Sequence, residues 1–158
     1  MKKLILLALL ILGTTMCVQA QQPKEKVAVY VSGDVSSSLK KIISSKAVSR
    51  ISRSDDYVAV ERTEDFLNVL TKEQDYQLSG EVRDDQIAEL GARFGVRYVA
   101  VFEATKTYDT GFVSARMIDV ETGMVVKSVD TSRKIKSVDD WTAITNNVAF
   151  RLISKKSK

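Results

Sequence analysis

Few side chains in this sequence could do chemistry. The 158 residues include no histidine and one cysteine, Cys17. Ser-His-Asp triads, Cys-His pairs and His/Cys zinc sites therefore lack their essential members. What remains are carboxylates, and three pairs are adjacent: Asp55-Asp56, Asp84-Asp85 and Asp139-Asp140. Paired acids can transfer protons or hold calcium. Two of these pairs open stretches of helical periodicity, where an acid satisfies free backbone N–H groups and faces the positive end of the helix. Capping accounts for them, so no catalytic residue, metal or cofactor is assigned. One further spot has the right placement for a ligand. Ser32-Gly33-Asp34 follows the first apolar run and Arg62 ends the second, and open α/β sheets bind ligands beyond their strand ends. Gly33, Asp34 and Arg62 are thus a candidate ligand edge, without the Walker lysine or G-x-G-x-x-G of a nucleotide site.

The elements that would position these residues begin with a leader. Lys2 and Lys3 precede an apolar run from Leu4 to Leu12, and Val18-Gln19-Ala20 offers small residues at the two positions a signal peptidase reads. Cleavage between Ala20 and Gln21 is expected. The run ends at Gly13, short of the roughly 20 apolar residues of a membrane span. Cys17 supplies the alternative, a lipidated first residue, but Thr14-Thr15-Met16 before it departs from the small-residue pattern of lipoprotein processing. The expected layout is a signal peptide over 1–20, a polar lead over 21–26, one domain over 27–154 and a basic tail over 155–158. Without Lys2 and Lys3 the net charge of +4 falls to +2. So small a balance implies neither nucleic acid nor acidic lipid as a partner. Membrane contact is expected only if Cys17 is lipidated.

Val27–Val31, Tyr57–Val60 and Tyr98–Phe102 are continuous apolar runs, the pattern of strands covered on both faces. Tyr98–Phe102 is the candidate central strand. Leu39, Ile42, Ile43, Ala47 and Ile51 recur at helical spacing behind Asp34 or Ser36 as cap. Thr63 caps a helix with Phe66, Leu67 and Leu70 on its stripe, ending near Gly80; Asp84 opens another that stops at Gly95. Gly91 inside it costs about 1 kcal/mol relative to alanine and implies a close neighbour. Asp109-Thr110-Gly111 and Glu121-Thr122-Gly123 read as hairpin turns between strands at about Val96–Tyr108, Phe112–Val120 and Met124–Arg133. Ser137-x-x-Asp140 is a capping-box pattern opening a last helix, with Trp141, Ile144, Val148 and Leu152 on its core stripe. The fold class is α/β: a single-domain mixed five-stranded sheet in the order βαβααβββα. Its first half is parallel, its second half an antiparallel meander, and its helices pack on the sheet.

Five pieces in order carry a resemblance. Val60-Glu61-Arg62, Glu73-Gln74, Ala88-Glu89-Leu90-Gly91, Val96-Arg97-Tyr98-Val99 and Asp119–Val126 resemble the core of the curli-secretion (CsgG-like) and penicillin-binding-protein activator (LpoB-like) lipoprotein families. The resemblance covers nearly all of 27–153. It implies a Gram-negative envelope protein that works by binding: the curli member builds an oligomeric export pore, and the activators dock on a cell-wall synthase. It also makes Arg62, Glu73, Gln74, Gly91 and Gly123 residues of the family pattern, read here as fixing the fold. Tight turns leave no room for the barrel strands of about 9–11 residues that a pore needs. The expected function is a non-enzymatic periplasmic module that binds a cell-envelope protein, with three alternatives kept. These are a small-ligand or hydrolytic domain using Asp34 and Arg62, an oligomeric component of a secretion assembly, and an outer-membrane lipoprotein facing the periplasm.

Overall fold

The structure, a computed structural model, describes residues 23–60 and 84–154. Cys17, Ala20, Gln21, Arg62, Glu73, Gln74, the expected helix from Thr63 to Gly80 and the tail from 155 lie outside the described residues.

Five strands form one sheet in the order β2-β1-β3-β4-β5: β1 (Glu25–Ser32), β2 (Tyr57–Val60), β3 (Tyr98–Thr107), β4 (Thr110–Asp119) and β5 (Val125–Lys134). β1 runs parallel to both β2 and β3, with Val29 opposite Ala100. β3, β4 and β5 are antiparallel, so the mixed sheet read from the sequence is the one formed. β3 is the middle strand. The described helices are α1 (Ser37–Ser52), α2 (Asp84–Arg93) and α3 (Val138–Ile153).

Alternation along the strands sorts the core into two layers. Val27, Val29, Val31, Ala100, Phe102, Ala104, Val113, Ala115 and Met117 meet Ile43, Ala47 and Ile51 of α1 and Trp141, Ile144, Val148 and Leu152 of α3. On the opposite face Ala28, Tyr30, Val99, Val101 and Ile118 meet Ala88 of α2 and Val96. Each fully buried large apolar side chain contributes about 1.5–3 kcal/mol. Trp141 belongs to the core, as its helical stripe implied.

Two strand readings are corrected. Among the described residues Tyr57–Val60 is not covered on both faces: β2 is an edge strand there and Val58 is exposed. The first hairpin turn is Tyr108-Asp109, between the paired Thr107 and Thr110, and Gly111 lies within β4. A Cβ on Gly111 would sit 2.6 Å from Ile135 Cγ1 and 2.9 Å from Trp141 Cη2. This glycine makes room for the tryptophan; it does not turn the chain. Tyr108 takes the left-handed conformation instead, at φ +53°.

β5 is the long edge. Between Met117 and Ile118 the pairing skips from Lys127 to Val125, leaving Val126 as a bulge. Arg151 Nη1 of α3 donates to the Asp130 carbonyl at 2.9 Å, and Lys127 Nζ donates to the Ser154 carbonyl. Both ties hold the last turn of α3 against this edge.

Ser36, not Asp34, caps α1, its Oγ accepting from Leu39 N at 3.3 Å. At the start of α3, Asp140 Oδ2 accepts from the backbone N–H of Lys136 at 2.9 Å and of Ser137 at 3.0 Å. These two donors, and then the Arg133 charge, hold the Asp140 carboxyl below its ordinary value of 3.8. A depressed folded-state pKa stabilises the fold above the unfolded value, and that contribution is lost as pH falls through the lowered one. Urea unfolding followed down from neutral pH should show the protein losing stability below about pH 4. Asp140→Asn should lose less over that window, having surrendered the contribution already at neutral pH.

Candidate functional site

The candidate ligand edge resolves into packing. Gly33 joins β1 to α1 with φ +106°, and a Cβ there would lie 2.1 Å from the Ala104 carbonyl oxygen of β3. Only a residue without a side chain lets this turn lie on the β3 backbone. Asp34 is exposed, and among the described residues no hydrogen bond reaches its carboxylate. Arg62, its expected companion, lies outside the described residues. Gly91 is explained by contact as well: a Cβ there would meet Val120 Cγ2 at 2.5 Å and Val99 Cγ2 at 2.8 Å. α2 can lie on the β3–β4 face only because this position is bare. Gly123 turns the β4–β5 hairpin at φ +68°.

Two of the five sequence pieces meet in space. Asp119, at the end of β4 with its side chain 8% exposed, receives Arg97 Nη2 at 2.7 Å. Its other oxygen, Oδ1, accepts from the N–H groups of Glu121 at 2.9 Å and Thr122 at 3.1 Å. Arg97 also pairs with Glu121 and lies over the Tyr98 ring, 5.6 Å from its centre. The Glu121 bond and then the Tyr98 bond raise the guanidinium pKa further. Backbone bonds complete the knot: Arg97 N donates to the Lys26 carbonyl at 2.9 Å and Val120 N to the Arg97 carbonyl at 3.1 Å. The bonds of this cluster all run within the fold. The cluster holds the start of β3, the second hairpin and β1 together. Arg97 and Asp119 were not singled out as a pair in the sequence; their separation of 22 residues hid the contact.

Open surface lies elsewhere. On the sheet face away from α1 and α3, Glu103, Thr105, Ser114, Asp130 and Ser132 surround Phe112, which is 46% exposed, in a groove of about 390 Å³. A second groove, of about 370 Å³, runs between the first turns of α1 and α3. A third lies between the last turns of the same helices, where the Arg50 guanidinium stacks 4.6 Å from the centre of the exposed Phe150 ring. Among the described residues no three His, Cys, Asp or Glu side chains are grouped to hold a metal ion. No described helix is long and apolar enough to cross a membrane.

No protein-family model matches the chain, nor does any curated protein. Solved structures do. A PelC dodecamer from Paraburkholderia phytofirmans shares the fold at a TM-score of 0.56 and 17% identity, over 84% of this chain and 90% of that one. The LpoB C-terminal domain from Salmonella enterica matches at 0.53 and 12% identity, over 73% and 88%. A lipoprotein from Neisseria meningitidis matches at 0.51 and 12%, over 84% and 99%. What is shared at these identities is the fold; of the two resemblances read from the sequence, the LpoB-like one is supported at that level and the CsgG-like one is not shown.

Proposed function

We propose that this protein is a periplasmic module of the Gram-negative cell envelope that works by binding another protein and carries out no chemistry of its own. The observation that carries this reading is the fold in common with the LpoB C-terminal domain and with PelC. The leader-like first twenty residues point the same way, as does a polar cluster at Arg97 and Asp119 whose bonds run within the fold. The exposed apolar side chains Phe112, Val126, Val138 and Phe150 are available as contact surface. The test is crosslinking in intact cells from photoreactive residues at those four positions. Capture of one recurring envelope protein is the expected result. Background alone from all four positions would overturn the reading.

A second reading draws on PelC, which was solved as a dodecamer: the partner would be a second copy of this chain. Light scattering on the purified protein separates the two. Multiples of the monomer mass favour self-assembly, and the monomer mass favours a foreign partner.

A further inference from the structure

The groove between the first turns of α1 and α3 differs in chemistry from the sheet-face groove. Lys106 and Lys136 line it and no acid does, whereas the sheet-face groove carries Glu103 and Asp130. Of the acids near it in sequence, Asp34 and Asp139 are exposed and outside its lining, and two others are engaged elsewhere. Asp109, which feels the charge of Lys106, is bonded to Lys134 at 2.7 Å. Asp140 caps α3 and faces Arg133 at 3.5 Å. Among the described residues neither Lys106 nor Lys136 has an ion-pair partner. Both lysines therefore present charge to whatever enters.

The rest of the lining is apolar where an occupant's side chains would rest. Ile42 of α1 and Trp141 of α3 flank the groove, and Val138, on the first turn of α3, is 52% exposed. Beside it stands the first hairpin turn, tied in by the bond from Ile135 N to the Asp109 carbonyl at 2.6 Å. Tyr108 in that turn is 95% exposed and holds φ +53°. Glycine, asparagine or aspartate would sit there with less strain, so folding alone gives no reason for a tyrosine. Exposed aromatic rings on fixed turns are the usual anchors of protein interfaces.

We infer that this end of the molecule docks an acidic, apolar segment of a partner protein. Lys106 and Lys136 pair with its carboxylates, Ile42, Val138 and the Trp141 edge receive its apolar side chains, and Tyr108 packs over it. The charge complementarity of an acid-free, lysine-lined apolar groove selects this occupant over a basic or purely polar one. The inference rests on the protein-binding reading above and names the surface responsible.

Trp141 is the only tryptophan in the chain and lines the groove, so its emission reports occupancy. Random peptides displayed on phage should be selected on the protein purified from the periplasm, and a selected peptide then titrated against it. The expected winners combine Asp or Glu with Leu, Ile or Phe. They shift Trp141 emission saturably and bind at least tenfold more weakly to Lys106→Glu/Lys136→Glu and to Tyr108→Ala. Because both lysines are exposed, the double variant should keep its circular dichroism. Lys106→Gln/Lys136→Gln carries the same test at half the charge change should reversal unfold the chain. Basic or neutral winners, or equal binding to the variants, overturn the inference. Displacement of the peptide by inorganic phosphate at equal concentration also overturns it, showing a small-anion site instead. If crosslinking in cells captures an envelope protein from Phe112 or Phe150 and not from Val138, the protein-binding reading stands and this surface falls.

Discussion

Replacing Gly33 by alanine should remove a large share of the protein's stability. The new Cβ would lie 2.1 Å from the Ala104 carbonyl oxygen and 2.7 Å from its amide nitrogen. Those are backbone atoms of the middle strand, which cannot swing aside as a side-chain end could. The conformation, φ +106°, adds its own strain for any L side chain. Together these should cost about 4 kcal/mol or more, against a total stability of roughly 5–15 kcal/mol. Gly95→Ala is the matched control. It too has positive φ, at +62°, but nothing lies within 4 Å of its Cβ, so it should cost only about 1 kcal/mol. Urea unfolding followed by Trp141 fluorescence measures both. Equal costs would show that the β1–α1 turn can lift off β3.

The second large loss is expected at Asp119. Alanine there strands the N–H groups of Glu121 and Thr122 and removes the carboxylate to which Arg97 Nη2 donates. About 2–4 kcal/mol should be lost. Asp119→Asn keeps an acceptor for the two N–H groups and should lose roughly half as much. Glu121, although paired with the same arginine, is 72% exposed, and Glu121→Ala should cost no more than about 0.5 kcal/mol. Chemical unfolding ranks the three. If Asp119→Ala and Glu121→Ala cost the same, the pair at Arg97 is a surface ornament and the N–H contacts carry little.

Much of the fold was legible because its signals are local. Unbroken apolar runs marked β1 and β3, period-3.6 stripes marked α1 and α3, and Ser137 with Asp140 marked where α3 begins. The errors came where one residue type serves two purposes. Gly111 beside Asp109-Thr110 looks like a turn, yet the turn is formed by a tyrosine and the glycine is bare to admit Trp141. Tyr57–Val60 is as apolar as a central strand, but apolarity cannot tell an edge from a middle; its neighbours decide that. Gly91 was correctly expected to have a close neighbour, though only the tertiary arrangement names Val120 and Val99. The candidate surfaces were least legible. The groove takes Ile42 from α1, Lys106 from β3 and Val138 from α3, and no spacing along the chain says that these three meet. The Gly33–Asp34 edge shows the reverse problem, a pattern with a ligand-site look whose glycine answers to packing.

The two margins of the sheet limit how copies of this molecule could join. Among the described residues β2 offers four, a short seam. β5 offers ten, but the Val126 bulge breaks its line and Arg151 occupies a carbonyl along it. Lys127, Arg133 and Lys134 would also confront their own kind across a strand pair. Continuous cross-chain β-structure, the cheapest route to fibres, is thereby discouraged. A ring built from this chain would have to be held face to face by side chains, as a reversible assembly whose size is set by surface fit.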